Sequence, residues 1–107
     1  MCGMNRNHPQ SEAELKSLIR QAADLRGLYR FTVPPDPRIE RGFPDLTLLG
    51  SNGLVFREIK DAYREVTPDQ QAWGARLNDV LGGDSWHVWR PADWVSGEIE
   101  ACLDEIV

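Results

Sequence analysis

The sequence predicts an α/β domain, a small sheet flanked by helices in the order α-β-β-β-α-β-α. Three observations carry this. Apolar residues recur at three- and four-residue steps in separate stretches, and between those stretches short runs rich in aromatic and β-branched residues alternate. An Asn-Gly pair splits two apolar runs, the short-range mark of an antiparallel hairpin. At 107 residues the chain suits one core and not two, with residues 1–10 as an N-terminal extension and 11–107 as the domain.

Ser11 followed by Glu12-Ala13-Glu14 reads as a helix N-cap with acids in the first turn, where the helix dipole favours them. Leu15, Leu18, Ile19, Ala22 and Leu25 then mark one face of a helix over 12–26, stopped by Gly27. The run 28–33, LYRFTV, alternates as a strand. PPDPRIERGFP is a loop, because its prolines remove donors and restrict the residues before them. Strands over 45–49 and 54–60 form the hairpin. Thr67 caps a helix with Pro68 in its first position, running to about residue 80 and ending at Gly82-Gly83. SWHVWR, 85–90, is a short strand, and one last helix runs from 91 or 92 through 106.

Apolar residues at 41% and charged residues at 27% leave little room for extended disorder. No apolar run approaches the roughly 20 residues that span a bilayer, and the first ten residues lack a signal-peptide core. The expectation is a cytoplasmic protein with no membrane partner. Cys2 and Cys102 lie near opposite ends without ligand spacing, so two free thiols are expected and no structural zinc. A net charge of −5 opposes non-specific binding to phosphates, yet Arg26, Arg30, Arg38, Arg41, Arg57, Lys60 and Arg64 make the middle of the chain basic.

Charge at the hairpin's open end raises the functional question. Side chains alternate along a strand, so Glu58 and Lys60 share a face while Ile59 turns away. A tight turn at 51–53 places residue 45 opposite residue 59 and brings Asp45 to the same end of the sheet. Two carboxylates and an amine then converge. One reading is a solvated strand end with a salt bridge. The other is a site for a hard divalent cation, which takes one or two carboxylates plus water and phosphate oxygens.

Pro44-Asp45, then Glu58-Ile59-Lys60, resembles the PD-(D/E)xK nuclease signature. With TPDQQAW and HVWRPADW following, residues 11 to 95 resemble the small VRR-NUC branch of that superfamily. The resemblance implies a restriction-endonuclease-like fold with a small central mixed sheet. It implies a Mg²⁺ site (Mn²⁺ substituting) held by Asp45, Glu58 and the carbonyl of Ile59, with Glu12 from the first helix and Glu14 as its competitor. Lys60 would position water or stabilise the phosphate, and Gln70 would hydrogen-bond near the metal, with Gln71 directed elsewhere. Arg38, Arg41 and Arg64 are candidate DNA contacts or simply solubilising loop residues. Arg57 is expected on the opposite sheet face, Arg90 with a structural partner, His87 as structural, and the four tryptophans in packing. The implied activity is structure-selective cleavage of branched DNA, such as Holliday junctions, by a homodimer with no organic cofactor. A non-catalytic DNA-binding or assembly module with a vestigial site is the alternative.

Overall fold

The computed structural model describes residues 8–107, so Cys2 and most of the N-terminal extension lie outside the described residues. Ser11 accepts a hydrogen bond from the Glu14 N–H and caps helix α1 (Glu12–Leu25). Strands β1 (Tyr29–Thr32), β2 (Leu46–Gly50) and β3 (Gly53–Ile59) follow, then α2 (Pro68–Leu81), β4 (Trp86–Trp89), α3 (Pro91–Val95) and α4 (Glu98–Ile106). The four strands form one mixed sheet in the order β1-β2-β3-β4; the first two pairings are antiparallel and β3 pairs with β4 in parallel. The predicted α/β class and the strand order in the chain hold. The last helix differs: it breaks at Gly97, whose φ of 86° is the left-handed conformation that terminates a helix and that glycine adopts without a Cβ penalty.

The two sheet faces are covered unequally. On one face, Leu46, Leu48, Val55 and Ile59 meet Leu15, Ile19 and Ala23 of α1 and Ile99, Leu103 and Ile106 of α4. Each such aliphatic side chain contributes roughly 1.5–3 kcal/mol by leaving water. Arg26, at the end of α1, ties the helices together through Asp104 (2.7 Å) and Glu100 (3.3 Å). On the other face α2 lies against β4, and Phe43 stands edge-on to both Phe56 (centroids 6.3 Å apart) and Trp73 (5.2 Å). Among the described residues, the β1–β2 half of that face carries no helix.

Gly74 sets the closeness of α2 to the sheet. A Cβ there would fall 2.2 Å from the Trp86 ring, which is itself buried. Alanine's helix propensity advantage over glycine is about 1 kcal/mol, whereas overpacking costs about 1–3 kcal/mol. The clash wins because an indole under a helix has nowhere to go. Gly74→Ala is therefore expected to lower the midpoint of thermal unfolding; a rise in that midpoint by calorimetry would show that Trp86 relocates freely.

The hairpin turn differs from expectation in a way that matters for the site. Gly50 pairs with Gly53, so the two loop residues are Ser51 and Asn52, and Gly53 already belongs to β3. The turn centre moves by half a residue, and continuing the register places Asp45 opposite Glu58 instead of Ile59. Neither Gly50 nor Gly53 has a positive φ. Their lack of side chains serves packing: a Cβ at Gly50 would lie 1.9 Å from the Ile106 carbonyl oxygen, and one at Gly53 would lie 2.6 Å from the Ile106 side chain. The end of α4 sits directly on the turn, where Asn52 donates its N–H to Ile106 O (2.9 Å) and its amide to Val107 O (3.1 Å).

Candidate active site at the open end of the hairpin

Asp45 lies one residue before β2, and its main chain stays in the ladder through the Val33 N–H bonded to Asp45 O (3.0 Å). Its carboxylate Oδ2 accepts from the Ile59 N–H at 3.0 Å. That bond fixes the carboxylate across the strand pair. Glu58 is buried although its side chain is ionisable, with 1% of its surface exposed. Its Oε2 accepts from Gln70 Nε2 at 2.9 Å, while Oε1 is buried with no hydrogen-bond partner. Burial first, and then the neighbouring Asp45 carboxyl, push the Glu58 carboxyl up to about 8, against Lys60 and Lys16, whose charges draw it down. The buried Glu58 carboxyl thus lies beside the half-buried Asp45 carboxyl, where water screens their interaction poorly.

Lys60 is buried on the same side as Glu58 and makes no ion pair among the described residues. Its backbone N–H continues the parallel pairing to Trp89 O (3.0 Å), which locks the stem of the side chain at the strand end. Gln70 has two tasks. Its Oε1 accepts from the Thr67 N–H (2.9 Å), and Thr67 Oγ1 accepts in return from the Gln70 N–H (3.2 Å). This capping box orients the amide so that Nε2 can reach Glu58.

Asp45, Glu58, Lys60, Gln70 and Ile59 are therefore one cluster, with Ile59 joining it through its N–H. Glu12 is not part of it: its carboxylate pairs with Lys16 one helical turn on, at 3.1 Å. Glu14 accepts from Gln10 and closes the N-terminal cap. The expected third acid is absent from the group, and among the described residues no three His, Cys, Asp or Glu side chains converge on one point. The physical reason is the (i, i+4) spacing of Glu12 and Lys16, which favours a pair along the helix.

The candidate DNA contacts are paired within their own loop or exposed. Arg38 is held by its own loop through Asp36 (2.8 Å). Arg41 and Arg64 are exposed, and their carbonyls accept from Trp73 Nε1 and Arg90 Nη1. Arg90 has the structural role expected of it, bonding Asp61 O (2.8 Å) and Arg64 O (2.9 Å). Arg57 lies on the opposite face, buried, its guanidinium 4.7 Å from the centre of the Trp89 ring and donating to Phe56 O, Ser85 O and Asp84 O. Burial lowers its pKa, and burial raises that of the adjacent Cys102, a free thiol.

Two cations at the site were missed from sequence. Lys16 and Arg20, one turn apart on α1, line a small recess of about 20 Å³ with Thr32, Asp45, Leu46 and Ile59. Their signal was the four-residue spacing of basic residues on an otherwise acidic helix.

A divalent cation fits this donor set. The unpartnered Glu58 Oε1 and the Asp45 oxygen not engaged by Ile59 are two hard anionic ligands, and the mutual repulsion of the carboxyls is what a cation would relieve. Two protein carboxylates suit Mg²⁺ with its remaining positions given to water and phosphate oxygens. No helix among the described residues is long and apolar enough to cross a membrane. Comparison with protein-family models, characterised proteins and solved structures gives no match to this chain.

Proposed function

We propose that the chain is a Mg²⁺-dependent DNA endonuclease that hydrolyses backbone phosphodiesters of branched DNA, as its resemblance to VRR-NUC domains implies. The observation that carries this reading is the buried, unpartnered Glu58 Oε1 beside Asp45. A protein that needed only a stable sheet gains nothing from burying a carboxylate against another one. The bound cation would supply charge for the developing phosphorane oxygens and a water of lowered pKa.

The chain's own residues supply the rest. Asp45, fixed by the Ile59 N–H, and Glu58, fixed by Gln70, present their oxygens without a search over rotamers. Lys60 places a cation on the same face, positioned to orient water or offset charge on the phosphate. One chain carries one such cluster, so cutting both strands of a junction takes two copies, and a homodimer is the proposed form. The missing third acid favours one competing reading, a module that binds DNA and metal without cutting.

Purified protein with labelled junction, flap and duplex DNA is expected to cleave with Mg²⁺ or Mn²⁺ and not with EDTA. Asp45→Asn keeps an acceptor for the Ile59 N–H, yet is expected to lose both cleavage and the calorimetric Mn²⁺ site. Mn²⁺ binding without cleavage of any substrate would favour the binding module; neither binding nor cleavage would end the metal reading.

A further inference from the structure

The uncovered half of the sheet is aromatic and adjoins the carboxylates. Register places Tyr29 beside Leu49 and Phe31 beside Thr47, all on the face that carries Glu58. Tyr29 is 77% and Phe31 56% exposed, and Leu49 and Leu54 are exposed beside them. Such a patch of contiguous apolar side chains marks a binding surface on a soluble domain. Asp45, one residue before β2, stands two residues from Thr47, about 7 Å along the same face.

Resting on the phosphodiesterase reading above, we infer that Phe31 and Tyr29 form a stacking platform for unpaired bases of the substrate strand. A nucleic-acid strand therefore enters the site with single-stranded character next to the scissile phosphate. Three features select this occupant. The platform is continuous with the cluster, so a second copy seated on Phe31 would lie over the carboxylates it is meant to serve. The two rings stand two residues apart on one strand, the arrangement by which a sheet displays successive aromatic faces to successive bases. Charge also agrees. Glu98, Glu100, Asp104 and Glu105 belong to α4, which packs on the opposite face, whereas Lys60 stands on the platform's own side. Those four acids are thus carried away from the proposed path.

The test reads binding without cleavage. Anisotropy with fluorescein-labelled oligothymidine, an abasic strand of equal length and a blunt duplex, all in EDTA, separates base contacts from backbone contacts. Stacking contributes about 1–3 kcal/mol per base. Phe31→Ala and Tyr29→Ala are accordingly each expected to weaken oligothymidine binding about 5-fold or more, leave abasic-strand binding unchanged, and leave thermal stability unchanged because both rings are exposed. Phe31→Trp is expected to retain binding and Phe31→Leu to lose it. Equal affinity for oligothymidine and the abasic strand would overturn the inference, as would a Phe31→Ala protein that binds normally. A shift of Phe31→Ala from dimer to monomer in sedimentation would overturn it too, reassigning the patch to a second copy. Wild-type protein that prefers the oligothymidine yet cuts nothing would refute the nuclease reading and leave the platform standing.

Discussion

Glu58→Gln is expected to make the metal-free protein more stable at pH 8 and to abolish its response to divalent cations. The folded-state carboxyl sits at about 8 against an ordinary value of 4.5. Between those two values the folded protein holds more protons than the unfolded chain. Wild-type stability should therefore be complete below about pH 4.5 as far as this group is concerned, and fall as pH rises toward 8. At about 1.36 kcal/mol per pH unit, even a quarter of that displacement exceeds about 1 kcal/mol. For a domain of this size that is a rise in unfolding midpoint of roughly 4 °C or more. Glutamine keeps an acceptor for Gln70 and offers Asp45 a donor. The advantage should vanish near pH 4, where the wild-type carboxyl is already neutral. Mn²⁺ should stabilise wild type at pH 8 and leave the variant unmoved. A variant less stable than wild type at pH 8 in EDTA would show that Glu58 is in a comfortable environment and would remove the physical basis of the metal site.

Lys60→Met is expected to separate chemistry from architecture in the opposite sense. Methionine matches the buried stem and removes the charge, and no ion pair is broken because Lys60 makes none among the described residues. The fold should persist with unchanged or raised stability, and Mn²⁺ affinity should hold or tighten once a neighbouring cation is gone. Cleavage under single-turnover conditions should drop about 100- to 1,000-fold, the usual consequence of removing one preorganised charge from a transition state. Cleavage at the wild-type rate would exclude Lys60 from the reaction. The pair of variants is informative together: one removes metal and cleavage, the other cleavage alone.

Much of this was legible from local chemistry. Caps at Ser11 and Thr67, the Pro68 start and the alternation around residues 28–33 and 54–60 are short-range signals, and each element appears where those signals lie. The meeting of Asp45 with Glu58 was legible too, because a hairpin converts sequence distance into register. What failed had both local and non-local causes. The turn centre was misplaced because Asn52-Gly53 suggests a glycine needed for its conformation, whereas Gly53 is needed for the nearness of Ile106, some fifty residues on. Glu12 was expected as a ligand because the resemblance implies an acid from the first helix; its pairing with Lys16, four residues on, shows where the carboxylate goes. The break at Gly97 was readable in principle, since a lone glycine inside a helical pattern costs about 1 kcal/mol. The bare aromatic face could not be seen from sequence at all, because exposure of Tyr29 and Phe31 depends on which strands α2 fails to reach.

The contact between the end of α4 and the hairpin turn has a reach beyond packing. Asn52 is fastened to the carbonyls of Ile106 and Val107, and the ladder from that turn to Asp45 is roughly 17 Å of unbroken pairing. A hairpin whose register slips by one residue presents every side chain on the wrong face. Such a slip would carry Asp45 to the side away from Glu58. Ile106 and Val107 thus act on the carboxylate pair as a latch acts on a distant bolt, and the placement of the pair at one end of the sheet is inherited from geometry at the other.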